Sequence, residues 1–239
     1  MNPALAQLER AAAEMRLALP PRALDCFEVY LDEVLSWRHR INLTAASTAQ
    51  DLVSLHFVDS LLPLSFLEFP PNARVADIGS GAGFPGVPLK IVRPDLRLTL
   101  IEASRRRVAF LEHLRASLGY PDIEVVWGRA EVLGRQAEFR EAFGVVLSRA
   151  AARAGVAAEL CLPLAAISGV VVLLKGADAH SEIAAANPLI ERLGGRLEAS
   201  ETRHLPTTDR WRLLAVIRKV RPCGPEFPRN VRHLGQTTA

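Results

Sequence analysis

The stretch Val75-Ala76-Asp77-Ile78-Gly79-Ser80-Gly81-Ala82-Gly83-Phe84-Pro85-Gly86 decides how the chain is read. A short apolar run ends in a carboxylate and passes into a loop with glycine at alternate positions. Such glycines let the backbone turn sharply and approach a ligand with no Cβ in the way. In a parallel sheet the loop after the first strand is where ligands bind. Two ligands compete for it. Gly81, Gly83 and Gly86 satisfy G-x-G-x-x-G, which on its own is a weak dinucleotide signal. Against a dinucleotide, Gly79 starts the loop early and Pro85 falls where a phosphate-binding helix would offer free N–H groups. S-adenosylmethionine has no phosphate but carries a cationic sulfonium, an ammonium and a ribose. An acidic, glycine-lined pocket suits it better.

Outward from this loop, short β-branched runs recur at Arg74–Ile78, Leu98–Ile101, Glu124–Val126, Val145–Leu147 and Val170–Leu174, separated by helix-length segments. The alternation predicts an α/β fold with a mainly parallel sheet and right-handed crossovers. Arg196–Ser200 and Arg212–Val220 have no helix-length segment between them and predict an antiparallel edge. Residues 1–71 read as helical: 4–17 are rich in helix formers, Leu24, Phe27, Leu31, Val34 and Leu35 recur at helical spacing, and a third helix from about Thr48 to Leu62 closes at Pro63. The sheet domain then spans 72–221. Residues 222–239 read as a basic surface tail, partly disordered.

The other strand ends supply the rest of the candidate site. Glu102 closes the second strand, where a carboxylate accepts hydrogen bonds from both ribose hydroxyls; both candidate ligands have a ribose. After the third strand, the Ala130 N–H can meet an adenine nitrogen, while Glu131 caps a helix or joins the adenine edge. After the fourth, Arg149 stands at the mouth of the cleft. His56 and Asp59 lie three apart on one helix face; either they line the RNA side of the cleft, or, the plainer reading, they form a hydrogen-bonded pair that joins the helical region to the sheet.

Composition narrows the classes. The chain has 239 residues and a net charge of +3, with 49% hydrophobic and 23% charged residues, which excludes a disordered chain. No run is long enough to span a bilayer, and the N-terminus lacks a secretory signal, so a cytoplasmic protein is expected. Cys26, Cys161 and Cys223 are too scattered for a zinc site or a disulfide framework, and no metal is expected. Lysines number only three, Lys90, Lys175 and Lys219, so arginine supplies nearly all the basic charge. Biased codon usage explains most of that, and RNA contact is at best weakly supported by it. Nothing requires more than a monomer.

With these loops taken together, the sequence resembles the small-subunit ribosomal RNA guanine-N7 methyltransferases once named glucose-inhibited division protein B. The matching stretches are Asn42-Leu43-Thr44, His56 to Leu61, Asp77 to Gly86, Gly128-Arg129-Ala130-Glu131, Ser148-Arg149-Ala150 and Leu174-Lys175-Gly176. The resemblance implies a Rossmann-like S-adenosylmethionine-dependent methyltransferase fold. It also implies methyl transfer to N7 of a guanine in the decoding-region loop of 16S rRNA, either free or in the 30S subunit. By position it carries cofactor contacts to Gly79, Phe84, Ala130, Glu131 and Arg149; Glu102 comes from the ribose argument instead. The family has Phe-Asp where this chain has Phe143-Gly144, and its tail matches only through Phe227-Pro228-Arg229. Guanine N7 loses no proton on attack, so no general base is nominated. The residues alone also allow another methyltransferase substrate, a nicotinamide-dependent oxidoreductase or, least well, a non-catalytic RNA-binding module.

Overall fold

A computed structural model describes residues 2–149 and 152–234. One seven-stranded sheet runs through it: β1 (Arg74–Ile78), β2 (Arg97–Glu102), β3 (Glu124–Trp127), β4 (Phe143–Ser148), β5 (Ala165–Gly176), β6 (Gly195–His204) and β7 (Trp211–Lys219), in the order β3-β2-β1-β4-β5-β7-β6. The first five are parallel, and β7 inserts antiparallel between β5 and β6. Both the parallel sheet and its antiparallel edge follow the sequence expectation. Because β1 lies between β2 and β4, the connections leave it in opposite directions, and a crevice opens at its C-terminal end.

Strand alternation divides the core in two. Val75, Leu98, Leu100, Val145, Val172 and Val216 face one cluster, while Ala76, Ile101, Val146, Val171, Ala215 and Ile217 face the other. The first cluster is covered by α1 (Pro3–Glu14), α2 (Ala23–Trp37), the helical run from Ala49 to Phe66, α5 (Gly86–Val92) and α6 (Arg105–Leu118). The second is covered mainly by α8 (Ala154–Cys161) and α9 (His180–Arg192). The N-terminal helices therefore share a hydrophobic core with one face of the sheet. Trp37 joins α2 to α6 through an edge contact with Phe110 at 5.6 Å.

Two expectations need correction. The third helix does not close at Pro63. It runs as α3 (Ala49–Leu52), a π turn (Val53–Phe57) and α4 (Val58–Phe66), with Pro63 inside the last segment and Leu67 N–H bonding to its carbonyl. The apolar face of this run, from Leu52 to Leu62, is buried, and its packing outweighs the hydrogen bond a proline cannot make. The tail is not a loose surface segment over its described part, 222–234. Arg135 Nη2 and Arg140 Nη1 donate to the carbonyls of Glu226 and Phe227 at 2.7 and 2.9 Å, Phe227 is buried, and Arg229 pairs with the buried Glu159 at 2.7 Å. Residues 235–239 of the tail, and Ala150 of the Ser148-Arg149-Ala150 match, lie outside the described residues. No described helix is long and apolar enough to cross a membrane.

Gly144 lies at the start of β4, at the end of the sheet away from the crevice, so an aspartate there would not reach the candidate site.

Candidate active site

The glycine loop leaves β1 with Gly79, Gly81 and Gly83 all at positive φ, +71°, +60° and +94°. Their reasons differ. A Cβ on Gly83 would sit 2.6 Å from the Tyr30 hydroxyl, so that glycine lets α2 close on the loop; Tyr30 donates to the Ala82 carbonyl at 2.6 Å. Among the described residues, a Cβ on Gly79 meets nothing within 4 Å, and on Gly81 only the Gly79 carbonyl at 3.8 Å. These two glycines leave space for a ligand, and both line a cavity of about 320 Å³ with Phe84 and Arg149.

Glu102, nearly buried at the end of β2, holds the loop from below. Its carboxylate accepts from Gly81 N–H at 3.0 Å and from Ser104 N–H at 2.8 Å. Asp77 behaves otherwise than its place at a strand end suggests. It is 0% exposed, on the face of β1 turned toward α5, where Oδ2 accepts from Gly86 N–H at 3.0 Å and Oδ1 has no partner among the described residues. Its role is to shape the loop; it does not line the pocket.

Burial raises the Asp77 carboxyl to about 7, against the opposing effects of the Gly86 N–H and of Arg149. An unfolded aspartate titrates near pH ~3.9. The folded chain therefore keeps this proton over a range in which the unfolded chain has lost it. Its stabilising effect is complete below about pH 4 and is lost as pH rises through about 7. Urea unfolding should show wild-type stability falling across that window more steeply than in Asp77→Asn, by about 2–4 kcal/mol. Parallel pH profiles would refute this.

Above the loop, three elements converge on Arg149, the residue directly after β4. Its guanidinium donates to the Leu55 carbonyl in the π turn at 3.2 Å, to Asp59 Oδ2 at 3.0 Å and to His56 Nδ1 at 2.8 Å, and it lies 5.0 Å from the Phe84 ring centroid. The other Asp59 oxygen, Oδ1, accepts from Arg212 Nε on β7 at 3.0 Å. Asp59 is 2% exposed, so one buried carboxylate joins Arg149, just past β4, to Arg212 on β7. His56 stacks on Phe84 at 4.8 Å and 10°, and Phe84 stacks in turn on Tyr30. Burial, with Arg149 and Arg212 nearby, lowers His56 to about 3, so its imidazole is neutral. His56 and Asp59 thus tie the helices to the sheet, though through Arg149 and not as a pair bonded to each other, and both also line a cavity.

A second cavity of about 820 Å³ adjoins the first; Lys175, Arg210 and Arg212 border it together with the carboxylates of Asp51, Asp59, Asp178 and Glu182. Thr44, Ala45, His56 and Arg149 line both and form the wall between them. The structure thus gathers Gly79, Phe84 and Arg149 at one cavity, with Glu102 behind Gly81. Ala130 and Glu131 follow β3, at the start of the one-turn helix α7 (Ala130–Leu133); Glu131 lies 3.6 Å from Arg129 and lines a separate cavity of about 550 Å³ beside the docked tail. Sequence reasoning missed Tyr30, Thr44 and Arg212 as parts of this site. Asp59 and Arg212 are 153 residues apart, and no local pattern joins them.

The family profile described as rRNA small subunit methyltransferase G matches residues 23–207. The chain belongs to this family. Proteins called "Ribosomal RNA small subunit methyltransferase G" from Geobacillus sp. (strain WCH70) and Desulforamulus reducens are 39% and 40% identical to it. The first comparison covers 94% of both chains, the second 96% of this chain and 95% of the relative. Membership in rRNA small subunit methyltransferase G removes the oxidoreductase and binding-module alternatives. Among solved structures, M. jannaschii TYW2 in complex with AdoMet superposes with a TM-score of 0.51 at 14% identity, over 63% of this chain and 70% of that one. At that identity the likeness shows a shared fold, the Rossmann-like methyltransferase fold.

Proposed function

We propose that this protein transfers a methyl group from S-adenosylmethionine to N7 of a guanine in the decoding-region loop of 16S rRNA. The observation that carries the reading is the wall of Thr44, Ala45, His56 and Arg149 shared by a glycine-lined cavity and a larger one whose border carries both arginine or lysine and carboxylate side chains. The smaller cavity fits the cofactor, because Gly79 and Gly81 leave open a cradle that side chains would fill. Gly79, Phe84 and Arg149 bound the cofactor there. The Glu102 carboxylate has lone pairs left for ribose hydroxyls after its two backbone contacts. Ala130 and Glu131, which do not line this cavity, are assigned to the adenine edge from the family resemblance. When bound, the cofactor supplies an electrophilic methyl group on a sulfonium.

The wall itself supports N7 as the acceptor. His56 Nδ1 is taken by Arg149, its Nε2 faces Thr44, and both Asp59 oxygens are held by arginines. Neither group is free to remove a proton. Attack by the guanine N7 lone pair requires no such removal, and the chain's contribution is alignment, which can lower a barrier by on the order of 7–11 kcal/mol. Arg149, fixed by four contacts, keeps the wall rigid between the two reactants. A base in a single-stranded loop is unstacked and inserted more cheaply than one in a duplex.

To test this, the protein is incubated with labelled S-adenosylmethionine and either unmodified 30S subunits or naked 16S rRNA, and N7-methylguanine is mapped by chain cleavage. Label is expected at one guanine of the decoding-region loop in at least one substrate. Label entering neither RNA, or entering a different atom, would overturn the reading.

A further inference from the structure

Thr44 stands in the wall between the two cavities, and the contacts around its hydroxyl leave one arrangement of protons. A guanidinium has donors only, so the 2.8 Å contact from Arg149 makes His56 Nδ1 an acceptor. The single proton of the neutral ring is then on Nε2, 2.6 Å from Thr44 Oγ1. Ala46 N–H donates to the same oxygen at 3.0 Å. Two incoming donors occupy both lone pairs of the hydroxyl, which is left with its hydrogen to give. Among the described residues no acceptor takes that hydrogen, and the stack of His56 on Phe84 holds the ring in place.

We propose that Thr44 reads O6 of the target guanine and so selects guanine over adenine, with His56 and Arg149 as positioning residues that fix the direction of its O–H. This rests on the guanine-N7 reading above. On that edge of the base, guanine presents N7 and O6 as neighbouring acceptors, whereas adenine presents N7 beside an amino donor. A hydroxyl able only to donate pairs with O6 when N7 faces the cofactor cavity, and meets the adenine amino group hydrogen against hydrogen. No proton moves: Thr44 keeps its hydrogen throughout.

The test compares kcat/KM on 16S rRNA carrying either guanine or 2-aminopurine at the target position, in whichever form of the substrate wild type methylates. 2-Aminopurine keeps N7 and the 2-amino group but lacks O6. The guanine preference should fall by about tenfold in Thr44→Val, the loss of one well-made hydrogen bond, and be retained in Thr44→Ser. A residue that only shapes the wall would slow both substrates alike, so an unchanged preference in Thr44→Val overturns the proposal. Equal kcat/KM for the two RNAs in wild type overturns it without any variant. Wild type that methylates no guanine N7 fails the underlying reading instead, and the two failures are thereby distinguished.

Discussion

Asp59→Ala is expected to unfold at a temperature roughly 5–15 °C below wild type and to lose most of its methyl transfer, although the side chain borders the 820 Å³ cavity and is not placed against the cofactor. The carboxylate is buried and each oxygen is bonded to a different arginine, Arg149 at 3.0 Å and Arg212 at 3.0 Å. Removing one member of a buried ionic cluster leaves the others uncompensated, at a cost of about 3–5 kcal/mol. The two arginines here are 15% and 23% exposed and can draw on water, so about 2–4 kcal/mol is the better figure. Loss of activity follows from the same geometry. Without Asp59, Arg149 loses the anchor that holds it in the wall between the cavities, and His56 loses the rigid donor to Nδ1. Asp59→Asn separates charge from shape: its oxygen can accept from one arginine, but its amide nitrogen meets the donors of the other. It should retain part of the stability and little activity. Thermal unfolding by calorimetry, with methyl transfer assayed on the same samples, measures both. A melting temperature within about 2 °C of wild type for Asp59→Ala would show that the arginines re-pair elsewhere.

How much of this was legible in the sequence depends on the range of each interaction. The glycine loop, Glu102 and Arg149 are local signals, each a residue type at a strand end, and strand alternation with helix-length gaps specifies the sheet around them. Asp77 shows the limit of that logic. Its position at a strand end marks it as a pocket carboxylate, but the side-chain period of two on β1 turns it with Val75 toward the helices, where Gly86 N–H takes one oxygen. The Asp59 cluster was half legible: the spacing of His56 and Asp59 gives a shared helix face, but the partner arginines arrive from β4 and β7 through the topology of the sheet. The tail misled because a segment rich in proline and arginine reads as solvated. Its anchors lie far from it in sequence, Glu159 on α8 and Arg135 and Arg140 in the turns before β4, and it is the tail's own backbone carbonyls that Arg135 and Arg140 grip.

Gly81→Val should abolish measurable S-adenosylmethionine binding while leaving the chain folded. The position has φ +60°, where a β-branched residue is strained by about 1–3 kcal/mol, so a melting temperature lower by roughly 2–10 °C is expected. The described residues offer no steric objection, since their nearest atom to an added Cβ is the Gly79 carbonyl at 3.8 Å. The branched side chain instead enters the 320 Å³ cavity, which it would share with the cofactor. Gly83→Ala provides the opposite case. Its Cβ would meet the Tyr30 hydroxyl at 2.6 Å and a Val87 methyl at 2.9 Å, within the packing of α2 on the loop, so its cost falls on stability before binding. The two variants therefore separate the glycine that makes room for a ligand from the one that makes room for the protein. Titration calorimetry with S-adenosylmethionine should show at least a hundredfold loss of affinity for Gly81→Val, equivalent to about 2.7 kcal/mol. Unchanged affinity would mean that the cofactor lies elsewhere, and the assignments of Gly79, Phe84 and Arg149 to its site would fall together, because all four residues line the same cavity.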